Sequence, residues 1–221
     1  MNNDRIERLT ETLAQDLKPV RPMRNGRLWI GALVGLAVAV AYILIFYHAR
    51  LPVAALMRGQ WLGNPMAVLK PLMFLVLGLA ALWAVSDLSR PEGRLKFRFF
   101  VPLLIIGGLV LGGFGLEWLA YGGHDFKDWL SGGVVVCYTT ILCGGMVGLI
   151  VMWRFWLRRS ATSQPLALGA MSGLATASLM AAAYALHCDG DAPVYLLVVY
   201  GGAVAIFTGI ATLLGRRFLR W

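Results

Sequence analysis

Six long apolar runs, separated by short polar segments, dominate the pattern of the chain. They occupy roughly residues 28–47, 66–86, 101–121, 132–153, 166–186 and 193–214. A helix needs about 20 apolar residues to cross the hydrocarbon core of a bilayer. Because backbone polar groups in lipid have to be satisfied within the segment, each run is predicted to be a helix. We therefore expect an all-α membrane protein with six transmembrane helices.

The polar ends of the chain complete the predicted domain organisation. Residues 1–27 form an N-terminal tail, residues 28–215 the transmembrane domain, and residues 216–221 a short C-terminus. The apolar runs lack the period-two alternation of a membrane β-barrel. The first run is too long for the core of a signal peptide, so we expect no cleavage there. A hydrophobic content of 59% in 221 residues agrees with this class, because a soluble protein of that size has too little interior.

The positive charges indicate the orientation in the membrane. Of the 20 Lys and Arg residues, 16 fall in the tail, the second and fourth loops and the C-terminus. The other four are Arg50, Arg58, Lys70 and Lys127. Because Lys and Arg in short loops are retained on the cytoplasmic side, both termini are predicted to be cytoplasmic, in a bacterial inner membrane. The net charge of +9 then indicates contact with anionic membrane lipid rather than with nucleic acid.

The same orientation places two cysteines at the outer, periplasmic end. Cys188 lies in the loop between the last two runs, and Cys137 lies in the first turns of the fourth. The two thiols could meet there if the fourth helix packs near the end of the fifth. Cys143 follows about 9 Å deeper and roughly 240° around the helix, as expected of a small buried apolar residue. The spacing leaves open whether Cys137 and Cys188 are a functional pair or ordinary cysteines of apolar helices.

A metal site is a further interpretation of this outer end. His187, Cys188, Asp189 and Asp191 offer mixed ligands, to which His124 and Asp125 would add. Their spacing matches no structural zinc site. We therefore expect no stable metal and no cofactor, but transient attack by a thiol-reactive metal at Cys188 and His187 fits the residues.

The N-terminal tail carries a helical pattern of its own. Ile6, Leu9, Leu13 and Leu17 fall on one helical face, and Asp4 with Glu7 resembles a capping box. Pro19 and Pro22 then end the helix. So short a helix is marginal alone, and it would lie on the bilayer, fold against a protein partner, or stay a frayed terminus. Its four acids against two arginines favour a protein groove over anionic lipid.

No pattern of catalytic residues is evident. The sequence contains no nucleophile-elbow, zinc-protease or phosphate-loop motif. Glu117, Asp87 and Arg154 lie toward ends of their runs rather than at mid-membrane, where a charge would mark an ion path. Many glycines occur in pairs, and Gly169 with Gly173 has the spacing of close helix packing. These observations predict that the chain is not an enzyme.

Three segments of the chain resemble the NrsF-type negative regulators of sigma F. Residues 13–23, LAQDLKPVRPM, resemble the family's entry segment L-A-x-D-L-x-P-V-R-P-L. Cys137 with Ile141 is similar to its first cysteine motif, and residues 184–193, YALHCDGDAP, to its Y-A-L-H-C-x-x-D-x-P motif. The ending Leu219-Arg220-Trp221 is similar to its closing L-R-W. Two departures are Val199, where the family commonly has Trp, and the additional Cys143.

The resemblance implies a six-span inner-membrane anti-sigma factor. Its tail would bind an extracytoplasmic-function sigma factor and keep it from RNA polymerase. The tail residues implied in that contact are Leu9, Leu13, Asp16, Leu17, Pro19, Val20, Arg21 and Pro22. Oxidation or metal attack at Cys137 and Cys188 would release the partner.

One other class of protein fits periplasmic thiols. A small membrane transporter or a quinone-coupled thiol oxidoreductase would need no cytoplasmic partner. The absence of a C-x-x-C motif and the helical signature of the tail disfavour both.

Overall fold

The computed structural model describes residues 6–8, 10–12, 25–60, 62–121 and 133–219. These residues form helices and loops, with no strand among them. We number the helices α1 (Asn25–Phe46), α2 (Leu51–Met57), α3 (Met66–Leu88), α4 (Val101–Tyr121), α5 (Val134–Phe155), α6 (Pro165–Tyr184) and α7 (Pro193–Phe218). All but α2 are long and apolar enough to cross a membrane. The prediction of an all-helical protein with six spans is confirmed.

The helix bounds differ from the apolar runs in two informative places. Helix α7 continues to Phe218, because Arg216 and Arg217 in its last turn favour the negative end of the helix dipole. Helix α2 was not predicted, since its seven residues are too few to span a bilayer. Pro52 lies in its first turn, where the missing N–H leaves no bond unmade.

Helix α6 is the centre of the bundle. The three most extensive helix–helix contacts all involve α6, which packs most against α7, then against α3 and then against α5. Almost every residue of α6 from Leu168 to Tyr184 is buried, and most are Gly, Ala, Ser or Thr. Small side chains let neighbouring helices approach closely, which is the main source of contact between helices in lipid.

The close approach is tightest between α6 and α7. A Cβ atom added at Gly169 would lie 2.7 Å from the Ala211 carbonyl oxygen, and one added at Gly173 would lie 2.4 Å from the Ala211 Cβ. A side chain at either position would therefore push the two helices apart. The predicted role of this glycine pair in helix packing is confirmed.

The periphery of the bundle consists of α1 and α4. Few of their residues are buried, and their exposed side chains are almost all apolar. In a membrane protein such faces lie against lipid. We call the end of the bundle that carries the α6–α7 loop and α2 the Cys188 end. The opposite end, where α1 begins and α7 ends, is the terminal end.

Cys143 does not lie inside the bundle. Its side chain is exposed on the outer face of α5, whereas Cys137 and Ile141 on the same helix are buried. The expectation of a small buried residue was wrong, because six residues along a helix turn Cys143 away from the face that Cys137 shares.

Candidate functional site

The α6–α7 loop turns back over the Cys188 end and buries its cysteine. The backbone N–H groups of His187 and Cys188 both donate to the Tyr184 carbonyl, at 3.0 and 3.2 Å, which winds the end of α6 into a tight turn. Pro193 then starts α7, since its fixed φ suits a first helical turn. Cys188 is left 9% exposed, between the ends of α6 and α7.

Cys137 and Cys188 lie side by side. Cys137 is in the first turn of α5 and is fully buried. The two side chains hydrogen bond to each other, and neither cysteine forms a disulfide. The Tyr195 hydroxyl lies 3.8 Å from the Cys188 Sγ. The structure therefore brings together the two cysteines that the sequence placed at one depth.

Two buried cations hold the loop that carries Cys188. Arg50, between α1 and α2, donates from Nη1 to the Cys188 carbonyl at 3.1 Å and from Nη2 to the Met66 carbonyl at 2.8 Å. Lys70 of α3 donates from Nζ to the Cys188 and Gly190 carbonyls, at 3.1 and 2.8 Å. Their side chains are 1% and 0% exposed. Both cations therefore act within the site rather than at the membrane surface.

Asp191 is the carboxylate of this cluster. Its Oδ1 accepts a hydrogen bond from Arg50 Nη1 at 2.6 Å and lies 3.7 Å from Lys70 Nζ. Asn64 donates to Oδ2 at 3.2 Å, so both carboxylate oxygens are engaged. Asp191 thus ties the α6–α7 loop to the connection between α1 and α3.

Arg50 and Lys70 were not predicted as site residues, because both were counted among the loop cations of the outer face. Lys70 lies within an apolar run, and an ionisable residue in such a run is a signal of function. Arg50 carries no comparable signal, because only the fold shows that α2 turns it inward.

Aromatic rings close the site on the side of the bundle. Lys70 Nζ lies 4.5 Å from the centre of the Tyr200 ring, where the ring's negative face stabilises the ammonium. Tyr184 and Tyr195 pack against Tyr200, with ring centres 6.4 and 6.3 Å away. The Tyr200 hydroxyl faces Cys188 without satisfying hydrogen-bond geometry. These rings keep the cluster in surroundings of low polarity.

His187 packs against the ends of α1 and α6. Its Nδ1 lies 2.9 Å from the His48 carbonyl oxygen, and its ring stacks edge-on against Tyr47 and Tyr184. Among the described residues, no group of three or more His, Cys, Asp or Glu side chains is arranged to hold a metal. His124 and Asp125 lie outside those residues.

A distorted turn of α7 lies next to the thiols. Residues Leu196–Gly201 form a π-helical turn, in which each bond spans one residue more than in an α-helix. The Tyr138 hydroxyl donates to the Val198 carbonyl of this turn at 2.7 Å. Tyr138 directly follows Cys137 on α5. Of these two consecutive residues, one belongs to the thiol pair and the other contacts the π-helical turn. Such turns are frequent at functional sites.

The electrostatic surroundings favour a charged sulfur at Cys188. The hydrogen bond from Cys137 is the largest influence, and the positive charge of Lys70 adds to it. Together they lower the pKa of the Cys188 thiol below its ordinary value, although burial acts in the opposite direction. A cysteine is reactive as its thiolate, so these groups favour reactivity at Cys188.

Little of the predicted partner-binding tail is described. Residues 6–8 and 10–12 are helical, and the Thr10 Oγ1 donates to the Ile6 carbonyl at 2.7 Å. Ile6 is 48% exposed. The remaining predicted contact residues, Leu9, Leu13, Asp16, Leu17, Pro19, Val20, Arg21 and Pro22, lie outside the described residues.

The fold and the site define a class: an integral membrane protein of six helices that encloses a pair of thiols and a charge cluster at one end. Comparison with known proteins then gives the family. The family profile of the negative regulator of sigma F (NrsF) matches residues 13–221, so the chain belongs to the NrsF family. This membership confirms the resemblance found in the sequence.

A curated relative extends over the same length. The chain is 28% identical to the anti-sigma-F factor NrsF of Caulobacter vibrioides (strain NA1000 / CB15N), over 98% of this chain and 100% of the relative. No solved structure matches the chain. Membership of the family supports an anti-sigma function and a regulatory role, with a sigma factor as the partner.

Proposed function

We propose that the chain holds an extracytoplasmic-function sigma factor at the bacterial inner membrane through its N-terminal tail. We further propose that it releases this partner when Cys137 and Cys188 react with an oxidant or a thiol-reactive metal. The observation that carries the proposal is the direct contact between these two thiols. The α1–α2 connection, α3, the end of α6 and the start of α7 enclose them.

The tail is the segment suited to bind a soluble partner. Its described residues are helical, and the apolar pattern from Ile6 to Leu17 marks one face of such a helix. An amphipathic helix buries its apolar face in a groove of its partner. A sigma factor whose groove is filled in this way is kept from RNA polymerase.

The orientation follows from the distribution of Lys and Arg. With both termini cytoplasmic, the tail meets the cytoplasm and the Cys188 end faces the periplasm. Disulfides form and persist in that compartment. The signal and the response then lie on opposite sides of the membrane, and the bundle has to connect them.

The chemistry at the signal end is thiol oxidation. Formation of a Cys137–Cys188 disulfide releases two protons and transfers two electrons to an oxidant such as a hydroperoxide, which is reduced to an alcohol and water. A new covalent bond between α5 and the α6–α7 loop favours a different arrangement of the helices. Release requires that the tail binds the sigma factor in only one of the two arrangements.

Co-purification with the sigma factor tests the binding half of the proposal. Full-length protein in detergent is expected to retain the sigma factor, whereas deletion of residues 1–22, or Leu13→Asp with Leu17→Asp, abolishes retention. Ile30→Asn, on the exposed face of α1, is a control that leaves the tail intact. Retention by the truncated protein would contradict the proposal.

Addition of hydrogen peroxide or cadmium to the same complex tests the sensing half. The intact protein is expected to release the sigma factor, and Cys188→Ser to retain it. If Cys188→Ser released the sigma factor as fast as the intact protein does, sensing at Cys188 would be refuted. The proposed role of the tail would be unaffected.

A further inference from the structure

The buried cluster at the Cys188 end has an unbalanced charge when its ordinary ionisable groups are counted. Arg50 and Lys70 contribute two positive charges, and their side chains are 1% and 0% exposed. Among the described residues, Asp191 supplies the only carboxylate within ion-pair distance of either cation. An unpaired charge in an environment of low polarity is strongly unfavourable, because the charge has lost its hydration without gaining a partner. A second anion is therefore expected in the cluster.

Cys188 is placed to be that anion. Its own carbonyl accepts hydrogen bonds from both Arg50 and Lys70, so the two cations converge on this residue. The Cys137 thiol hydrogen bonds to its sulfur, and the Tyr195 hydroxyl lies 3.8 Å from that sulfur. A thiolate accepts a hydrogen bond more strongly than a neutral thiol does, so the Cys137 donor and the two nearby cations favour a charged sulfur.

We propose that Cys188 is a resting thiolate that forms a neutral buried cluster with Arg50, Lys70 and Asp191, and that Lys70 is the positioning residue that maintains this charge. Cys188 is then the attacking sulfur of the pair, and its reaction partners are electrophiles such as hydroperoxides and soft metal cations. The biological meaning of this charge state rests on the sensing role proposed above.

The ionisable groups that surround Cys188 come from every element packed around it. They are Arg50 from the α1–α2 connection, Lys70 of α3, Cys137 of α5, Tyr184 of α6, Asp191 of the loop, and Tyr195 and Tyr200 of α7. Asp189 is exposed, and His187 is engaged with the His48 carbonyl. The cations and the Cys137 donor favour a negative sulfur, and Asp191 is already paired with Arg50.

The reaction with a hydroperoxide removes the negative charge from the cluster. The Cys188 thiolate attacks the terminal oxygen, an S–O bond forms as the O–O bond breaks, and the alkoxide leaves and takes a proton from water. The Cys137 sulfur then attacks the resulting sulfenic acid, which forms the disulfide and expels water that carries the Cys137 proton. Arg50 and Lys70 are left with a single carboxylate.

The loss of this charge would weaken the contacts of the loop that carries Cys188. One of the two buried cations becomes unpaired, and it has to move toward water or release its proton. Lys70 belongs to α3, and it is held to the loop by hydrogen bonds to the Cys188 and Gly190 carbonyls and by its proximity to Asp191. The contact between α3 and the α6–α7 loop is therefore the first that the reaction weakens.

Alkylation of the purified full-length protein with iodoacetamide, followed at each cysteine by peptide mass spectrometry, tests the proposal. Only a thiolate reacts, so the pH at half-maximal rate reports the charge of each sulfur whatever its accessibility. The pH at which the alkylation rate of Cys188 is half-maximal is expected to lie well below the ordinary thiol pKa of about 8.5. A value at or above 8.5 in the unmodified protein would overturn the proposal without recourse to any variant.

Variants of Lys70 test whether this residue maintains the negative charge of Cys188. Lys70→Met is expected to move the Cys188 profile to higher pH and to slow alkylation at pH 7 by about tenfold or more. Lys70→Arg keeps the positive charge and is expected to keep the rate, and Arg58→Met removes an exposed cation at the same end as a control. An unchanged profile in folded Lys70→Met would overturn the role of Lys70. A low half-maximal pH without release of the sigma factor supports the thiolate and contradicts the sensing role.

Discussion

The Tyr138 hydroxyl on α5 donates a hydrogen bond of 2.7 Å to the Val198 carbonyl on α7. Because α7 is π-helical from Leu196 to Gly201, its carbonyls there lack the regular partners of an α-helix. Tyr138 supplies a donor from a neighbouring helix, directly beside Cys137. A Cβ atom added at Gly202 would lie 2.3 Å from the same hydroxyl, so the glycine makes room for this contact. The thiol pair and the irregular turn of α7 are thereby joined through two consecutive residues.

Tyr138→Phe is predicted to loosen this turn. The ring remains, but the Val198 carbonyl loses its donor, at a cost of about 1 kcal/mol in the free energy of unfolding. Hydrogen exchange of the amides in Leu196–Gly201 is expected to accelerate. Tyr42→Phe, on an exposed face of α1, is the matched control and is expected to change nothing. Equal exchange in both variants would mean that the hydrogen bond does not support the turn.

Arg50→Met is predicted to destabilise the Cys188 end. It removes the ion pair with Asp191 and the hydrogen bonds to the Cys188 and Met66 carbonyls. Breaking one partner of a buried pair costs about 3–5 kcal/mol, and we expect the lower part of that range because Asp191 is 22% exposed. Thermal unfolding in detergent, followed by near-ultraviolet circular dichroism, measures the loss. Arg58→Met is the control, and an equal Tm for the two variants would contradict the structural role of Arg50.

Gly173→Leu is predicted to separate α6 from α7. The new side chain would meet the Ala211 Cβ and the backbone at Thr208, neither of which can move away alone. Overpacking of this kind costs about 1–3 kcal/mol and occasionally more. Gly107→Leu on α4 adds the same side chain where nothing lies within 4 Å of the new Cβ. The first variant should show a lower Tm and a broader size-exclusion profile, and the second should behave as the unmodified protein.

Mild oxidation is predicted to join Cys137 to Cys188 within one chain. The two thiols already touch, so a disulfide requires only small movements, whereas Cys143 lies on the outside of α5. Peptide mapping after treatment with hydrogen peroxide should find this pair, and Cys143→Ser should leave its yield unchanged. A disulfide that contains Cys143 as the main product would contradict the arrangement of α5 described above.

The sequence predicted the helices well because length and hydropathy alone decide whether a segment crosses a bilayer. It also placed Cys137 and Cys188 at one depth, since two residues at the same end of neighbouring spans share a level. It did not show that they touch, because this depends on how α5 packs beside the end of α6. Cys143 was misplaced for the same reason, as the orientation of a helix about its own axis is set by its neighbours.

The charged residues of the site were not predicted, for a different reason. Arg50 and Asp191 are 141 residues apart along the chain, and a single sequence contains no record of such a pairing. Lys70 carried a signal, but its position near the end of an apolar run allowed it to be counted as a surface cation. The π-helical turn at Leu196–Gly201 has no signature in the sequence, because its residues are ordinary for a transmembrane helix.

The central position of α6 has a consequence for how the protein is made. It is the least apolar of the six spans, and nearly all of its surface is covered by other helices. A weakly apolar segment enters the bilayer less readily by itself than a segment rich in Leu, Ile and Phe. Its largest covering surface comes from α7, which leaves the ribosome after it. The enclosure around Cys188 therefore cannot form on a nascent chain that stops short of α7.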